Sequence, residues 1–581
     1  MNNIRTPRNR LIFAALVIAA LAILLALDLA NQGLAWRTMY SLTGERQPMG
    51  QIRGMVELPG NLLRAPLRLE THAPIQHVEI SPYGVNTFLE QEVELEKRER
   101  IMQMISDAGF DWIRQQFSWE DIEIHARGDF MDRRNMDVTG EISAWDKYDN
   151  IVSLAEQYDL EIMARLDNPP AWSHANPAIG QFAPPDDVQD FVNYAAAVAE
   201  RYRGRIRYYQ VWNEPNIYPE WGEQAVNPEA YTDMLCRTYN ALKAVDPNIV
   251  VISGALAPTL ELTGRDLNDV IFLQRMYDAG AGECFDVLSA QAYGFFSGPT
   301  DQRMRPTTVT FSHNLYLRDV MVANGDANTP IWISEAAWNP VDSPDVPADV
   351  SAREAYGSVT QAEAAEFMPM GYDRADREWS WVGVMFYWYF KRPADYERNQ
   401  SWYYFRMVEP DFTPLPIYDA MREYILHNPR TLYRGTHAPD HWAIFRPAGV
   451  ERIDTPETPY GYSIQIPPRG RVGFWMEGTD VMLRLRSTGG ESTVITNDRA
   501  QDIRLTVTEQ ARDYMIPLSE FSMGTSISVQ VEGDGAPVLL DSVTVFDQTN
   551  NRRAPLIAVG GAMVVLGIGW VINIIVQRRR G

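Results

Sequence analysis

Two apolar periods alternate along the middle of the chain. Between about Pro74 and His427, short β-branched and aromatic runs are each followed by a longer stretch with apolar residues three or four apart. The first pattern is that of a buried strand and the second that of an amphipathic helix. Strands are predicted at His77–Asn86, Asp111–Phe117, Glu161–Leu166, Ile206–Trp212, Ile249–Ser253, Val287–Tyr293, Ile331–Ser334 and Val382–Tyr389. The helices following them are predicted at Glu92–Ala108, Lys147–Tyr158, Val188–Tyr202, Pro228–Val245, Val270–Ala279, Leu315–Ala323, Gln361–Met370 and Ile417–Leu426. Eight strand–helix units in succession predict an α/β fold, a (β/α)8 TIM barrel over residues 74–428. A doubly wound open sheet is the rival, but no Gly-rich phosphate loop follows any strand.

Beyond the barrel the period shortens. Alternating strands recur at Tyr462–Ile466, Val472–Met476, Val481–Leu485, Ile503–Val507, Ser526–Val531 and Ser542–Phe546, separated by Gly, Pro and Asp-rich turns. Residues 430–548 therefore read as an antiparallel β-sandwich with its own core. No element is assigned to Arg37–Thr71.

Both ends of the chain carry apolar runs. Leu11–Leu27 is unbroken apolar sequence behind Arg5, Arg8 and Arg10, and Asp28 ends it. Pro555–Val576 holds no charge and is followed by Arg578, Arg579 and Arg580. A bilayer core takes about 20 helical residues. Residues 11–30 and 555–576 are therefore read as membrane anchors, the first also as a cleavable signal peptide ending near Gly33-Leu34-Ala35. The arginine clusters would hold both termini in the cytoplasm, unless the first run is cleaved, with the barrel extracytoplasmic at the cell membrane.

The composition narrows the chemistry. The 581 residues carry a net charge of −24, so a phosphate backbone is repelled and nucleic acid is excluded as a partner. Cys236 and Cys284 are the only cysteines and are not at metal-ligand spacing; sequence alone leaves their pairing open. The histidines are scattered without a His-Glu-x-x-His pattern, and no Gly-x-Ser-x-Gly elbow is present. No metal and no cofactor is expected.

Barrel enzymes carry their catalytic groups at the C-terminal ends of the strands. The fourth predicted strand ends in Trp212-Asn213-Glu214-Pro215-Asn216 and the seventh in Ser334-Glu335-Ala336. Both glutamates come at the ends of largely apolar strand runs, so both are expected in the barrel mouth. Cleavage of a glycosidic bond needs such a pair. One carboxylic acid protonates the departing oxygen, and the other carboxylate attacks the anomeric carbon or activates water. Asn213 is placed to reach a sugar hydroxyl.

The Trp-Asn-Glu-Pro-Asn motif on the fourth strand, with a glutamate ending the seventh, resembles the clan A retaining glycoside hydrolases. Further matches are Ser81-Pro82-Tyr83-Gly84-Val85-Asn86, Ala108-Gly109-Phe110-Asp111-Trp112-Ile113-Arg114, Trp119-Glu120-Asp121-Ile122-Glu123 and Pro169-Pro170-Ala171-Trp172. The set is most similar to family 39, which holds xylosidases, iduronidases and exopolysaccharide hydrolases. That resemblance implies Glu214 as acid/base and Glu335 as nucleophile. It further implies Arg114 near the nucleophile, Tyr293 hydrogen-bonded to it and Trp388 beneath the substrate sugar. Trp172 and Trp338 are candidates for sugar contact, with loop packing as the alternative; for Arg114 the alternative is a structural ion pair. Glu120 and Glu123 read as loop braces.

The expected activity is that of a retaining O-glycoside hydrolase acting by double displacement on an extracellular or envelope polysaccharide, with that glycan and the lipid bilayer as partners. A transglycosylase would use the same carboxylates, and a catalytically silent glycan-binding surface protein is the alternative of another class.

Overall fold

A computed structural model of the protein describes residues 7–180, 182–497, 502–519 and 522–549. Its central sheet has eight strands: β1 (Tyr83–Thr87), β2 (Trp112–Ser118), β3 (Glu161–Asp167), β4 (Tyr208–Val211), β5 (Val250–Ile252), β6 (Leu288–Tyr293), β7 (Ile331–Ala337) and β8 (Val382–Tyr387). Every pairing is parallel, in the order β5-β4-β3-β2-β1-β8-β7-β6. Single parallel bridges Ile252↔Val287 and Leu256↔Ala290 bring the two ends of the sheet together, so it curls into a barrel. Helices cover its outside, which is why β1, β2, β6 and β7 are buried along their whole length and read as continuous apolar runs.

The barrel interior is asymmetric. Near the N-terminal ends of the strands, Trp112, Tyr208 and Trp332 pack edge-on or tilted at 4.8–5.3 Å between ring centres. A Cβ at Gly383 would stand 2.2 Å from the Trp332 ring, so the glycine is what lets that indole fit. This apolar plug leaves the polar strand residues Asn86, Arg114, Gln210 and Glu335 to the opposite end, where barrel enzymes place their sites.

Two elements differ most from their predicted extents. β1 begins only at Tyr83, because the backbone at His77 has φ +62° and its carbonyl accepts a hydrogen bond from Trp332 Nε1. The seventh helix runs Gln361–Glu378, past its predicted end at Met370. Pro369 lies inside it, yet Phe367, Met368 and Tyr372 are buried on one face, and that packing outweighs the missing N–H. Thr360 and Glu363 form a capping box at its start.

The C-terminal region forms two sheets facing one core of Ile464, Phe474, Leu483, Val529 and Val543, among others. The six predicted strands are present. Glu451–Asp454, Ser492–Asn497 and Arg512–Pro517, with the short strands Thr431–Leu432, Gly435–His437 and Ile444–Phe445, complete the sheets. All pairings are antiparallel except that of Thr431–Leu432 with Trp475–Met476. The sandwich meets the barrel through an Arg377–Glu477 ion pair at 2.6 Å and a hydrogen bond from Trp442 N to Glu79 O at 2.7 Å.

The N-terminal run forms the helix Pro7–Ala30, whose apolar side chains, including Phe13, Leu16, Leu21 and Leu24, are exposed. Among the described residues no single helix is long and apolar enough to cross a membrane; Ala15–Ala30 and Leu34–Thr43 are so only as a pair, bent by 68°. The second apolar run lies outside the described residues. Arg37–Thr71, for which no element was assigned from sequence, holds the helices Leu34–Thr43 and Pro48–Glu57 and docks on the barrel. Arg303 is the hub: its guanidinium meets Asp301 at 2.8 Å, Glu45 at 2.7 Å, Glu57 at 3.0 Å and the Thr43 carbonyl at 3.0 Å. Cys236 and Cys284, left open by the sequence, form a disulfide with Cα atoms 4.7 Å apart.

Candidate active site

Glu335 lies near the end of β7 and is buried. Its Oε1 accepts from Arg114 Nη1 at 2.9 Å and its Oε2 from the Tyr293 hydroxyl at 2.7 Å. Both oxygens thus face donors, one of them a permanent cation. Burial and the nearby Glu335 charge raise the Tyr293 pKa well above its ordinary value, which keeps the phenol a neutral donor. Arg114 itself is clamped from four sides. Its remaining partners are Gln210 Oε1 at 2.7 Å, Asn86 Oδ1 at 2.9 Å and Asn213 Oδ1 at 2.7 Å. One side chain therefore fixes both Glu335 and the Asn213 next to Glu214.

Glu214 follows β4 in a turn that the sequence makes unusual. Trp212 has φ +76° and Glu214 φ +40°, both in the left-handed region that non-glycine residues avoid. Three braces hold this turn: Glu214 N donates to Ala255 O at 3.0 Å, Asn216 Nδ2 to Ala257 O at 2.9 Å, and the Tyr231 hydroxyl to Val211 O at 2.9 Å. The Glu214 carboxylate accepts from Gln291 Nε2 at 2.7 Å. Burial first, then the charges of Glu335 and Glu220, push its pKa well above the usual carboxylate range. The two glutamates thus meet opposite surroundings: Glu335 faces a cation and a phenol, while Glu214 faces an amide and negative charge.

Both carboxylates line one cavity of about 680 Å³. Asn213, Tyr293 and Trp388 line it too, with Trp388 standing edge-on to Phe88. Arg114 is enclosed behind it and acts through Glu335 and Asn213 rather than by touching a ligand. Of the two readings open for Trp338 and Trp172, their contacts fit loop packing. Trp338 is almost wholly enclosed, its Nε1 bonded to Ser297 O at 2.8 Å and its ring against Phe311 and Phe367, so no substrate reaches it. Trp172 is no part of the cavity wall; its Nε1 donates to Glu123 O at 2.7 Å and its ring packs edge-on against Trp119. Both residues follow strand-end motifs, but the loops turn their indoles into packing.

Gln291, Glu220 and Glu397 are among the cavity residues that the sequence did not point to. Gln291 sits on β6, where an inward polar residue in an otherwise apolar run was the available signal. Glu220 comes six residues after Glu214 in a turn, with nothing local to mark it. Burial raises its pKa to about 7, Arg165 partly offsets this, and Asp167 and Glu335 add to it. Glu397 enters from the loop after β8. Among the described residues no group of three or more His, Cys, Asp or Glu is set to hold a metal ion.

Residues 73–269 match the model of the cellulase family, glycosyl hydrolase family 5. The match includes Arg114, Asn213 and Glu214 and ends before Glu335. No curated protein matches the chain. Among solved structures it is similar to a family 39 glycoside hydrolase from the gut symbiont Bacteroides cellulosilyticus WH2, at 18% identity and TM-score 0.43 over 79% of this chain and 82% of that one. It is also similar to a monomeric β-xylosidase from Caulobacter crescentus CB15, at 14% identity and TM-score 0.42 over 79% and 97%. A family 39 enzyme from Xanthomonas axonopodis pv. citri gives 15% identity and TM-score 0.43 over 81% and 99%. The clan A resemblance carried by Asn213-Glu214-Pro215 falls inside the residues that the cellulase model matches, which hold β1 to β5 of the barrel.

Proposed function

We propose that the protein is a retaining O-glycoside hydrolase that cuts an extracellular or envelope polysaccharide, with Glu335 as nucleophile and Glu214 as acid/base. The observation that carries this reading is the opposite surroundings of two carboxylates lining one cavity. A group that must attack as an anion is held by a cation and a phenol. A group that must arrive protonated is held where charge is disfavoured. In the first step Glu335 bonds to the anomeric carbon while Glu214 gives its proton to the leaving oxygen. In the second, Glu214 takes a proton from water, which attacks the same carbon and releases Glu335. Tyr293 and Arg114 orient the attacking oxygens, Asn213 addresses a sugar hydroxyl, and Trp388 offers an aromatic wall to the ring.

The extracytoplasmic placement belongs to the same proposal. The exposed apolar face of Pro7–Ala30 supports an anchor, and the Cys236–Cys284 bond suits an oxidising compartment. Pro555–Val576 serves as the second anchor.

The test follows product configuration by NMR while the purified chain acts on aryl glycosides and polysaccharides. First-formed sugar of retained configuration, abolished by Glu335→Gln, is the expected result. First-formed sugar of inverted configuration would refute the double displacement.

A further inference from the structure

A second large groove lies on the outer face of the sandwich, away from both glutamates. Strand Arg471–Gly478 alternates inward and outward: Val472, Phe474 and Met476 are buried, which turns Arg471, Gly473 and Trp475 outward. Across the sheet Gly473 stands opposite Ser528 and Trp475 opposite Ser526, while Phe445 on the neighbouring strand stands opposite Gly473. The result is a groove of about 760 Å³ with Ser526, Ser528 and Gly473 among its floor residues. Trp442, Phe445 and Trp475 are aromatic members beside the inward-facing Phe474. Phe445 is 65% exposed, which an isolated sandwich core gives no reason for. At Gly473 an added Cβ would meet only Ile527 O, at 3.5 Å, so the missing side chain leaves open space beside Phe445.

The charge of the groove runs against that of the molecule. Arg430, Arg446 and Arg471 line it and, among the described residues, no Asp or Glu does, in a chain of net charge −24. None of these arginines is ion-paired among the described residues. The Arg430 guanidinium rests over the Trp442 ring at 5.4 Å, and the other two are exposed. Elsewhere on the sandwich, Arg469, Arg484, Arg486 and Arg504 each meet a carboxylate. Planar guanidinium groups left without acids, beside aromatic faces and serine hydroxyls, fit a ligand that is flat, hydroxylated and carboxylated.

We infer that this groove binds a carboxylate-bearing polysaccharide, such as a uronic-acid polymer, and holds it apart from the cavity in the barrel. That the ligand is a glycan rests on the reading of the barrel as a glycosidase; that it is acidic rests on the groove alone. Binding here needs no catalytic group, so it is separable from hydrolysis.

The experiment is affinity electrophoresis of the full chain in detergent through gels containing alginate, polygalacturonate or neutral dextran. At least one acidic polymer is expected to retard the protein, and dextran is not. Glu335→Gln should be retarded as strongly as the unaltered chain. An Arg446→Ala/Arg471→Ala variant should bind about tenfold more weakly or worse, since charge-assisted hydrogen bonds are lost. Both side chains are exposed and without ion pairs, so an unchanged melting temperature is the folding control. Trp475→Ala provides an independent second variant with the same expected direction. Equal retardation by dextran, retardation by neither acidic polymer, or retardation untouched by the arginine changes would each overturn the proposal. Loss of retardation in Glu335→Gln would move the polymer to the barrel cavity. Capture by phosphatidylserine vesicles with no polymer retardation would assign the groove to a lipid headgroup instead. If no glycoside is ever cleaved but the arginine-dependent retardation stands, the groove survives and the catalytic reading alone falls.

Discussion

Arg114 Nη1 donates to Glu335 Oε1 at 2.9 Å with both side chains buried, while its Nη2 holds Asn213 at 2.7 Å. Removing one partner of a buried pair strands the other charge, at a cost of about 3–5 kcal/mol. Arg114→Met should therefore lower the melting temperature as well as activity, with kcat down about a hundredfold or more as the nucleophile loses its orientation. Thermal unfolding of Arg114→Met, Glu335→Gln and the double variant checks this. The double variant is expected to recover part of the stability lost in Arg114→Met, and simple additivity would show the pair to be uncoupled.

The charge of Glu220 helps to raise the Glu214 pKa, so removing it should be visible in the titration of Glu214. The Glu214 acid must be protonated to work, so activity should fall as pH rises through its pKa, making it the alkaline limb of kcat/KM. Glu220→Gln removes a negative neighbour and should shift that limb to lower pH while leaving substantial activity. A limb that stays in place would separate Glu220 from the acid.

Stability should follow the same linkage. The folded Glu220 carboxyl titrates at about 7 against an ordinary 4.5, so the folded state binds the proton more tightly. Its contribution is fully present below about pH 4.5 and is lost as pH rises toward 7. Glu214 acts in the same sense, with its folded pKa also raised. Glu214→Gln and Glu220→Gln should thus be more stable than the unaltered chain above neutrality, with the gain vanishing in acid. Denaturant unfolding at several pH values measures it.

Glu214→Gln should also fail selectively. A dinitrophenyl glycoside needs no protonation to depart, so its glycosyl-enzyme should form and persist, because the base for the second step is gone. Azide, which needs no such base, should restore turnover of that substrate and give the glycosyl azide. Glu335→Gln should show neither the trapped intermediate nor this rescue pattern.

The Cys236–Cys284 bond closes a separation of 48 residues between the helix Pro228–Val245 and the run-in to β6. Loop closure of that length is worth up to about 4 kcal/mol on the chain-entropy estimate. Reduction with dithiothreitol, or Cys236→Ala/Cys284→Ala, should lower the unfolding free energy by up to that amount. An unchanged midpoint would mean that the bond adds nothing to the barrel.

Periodicity made the barrel legible because each strand is buried on both faces and each helix on one; those are the two patterns that survive in a linear sequence. The sandwich strands Ser492–Asn497 and Arg512–Pro517 escaped because their polar residues blur the alternation. Arg37–Thr71 was opaque for a different reason. Its helices are held by distant partners, above all Arg303, and no local period reports such contacts. In the site, Glu214 and Glu335 stood out because strand ends are marked in sequence. Glu220 and Glu397 arrive on loops, and only folding brings them to the cavity. The same limit left Trp172 and Trp338 open, since a motif names a residue but not the direction of its ring.

The left-handed backbone at Trp212 and Glu214 has a consequence for engineering. Two non-glycine residues in that conformation cost about 1–3 kcal/mol each, and the acid adds the burden of a carboxyl held where its charge is unwelcome. A glycine at 214 would relieve the backbone and remove the misplaced charge, whereas one at 212 would empty the space of a buried indole. Directed evolution for heat tolerance alone would therefore drift toward a sturdier and inactive barrel, so thermostability screens on this scaffold need turnover as a second filter.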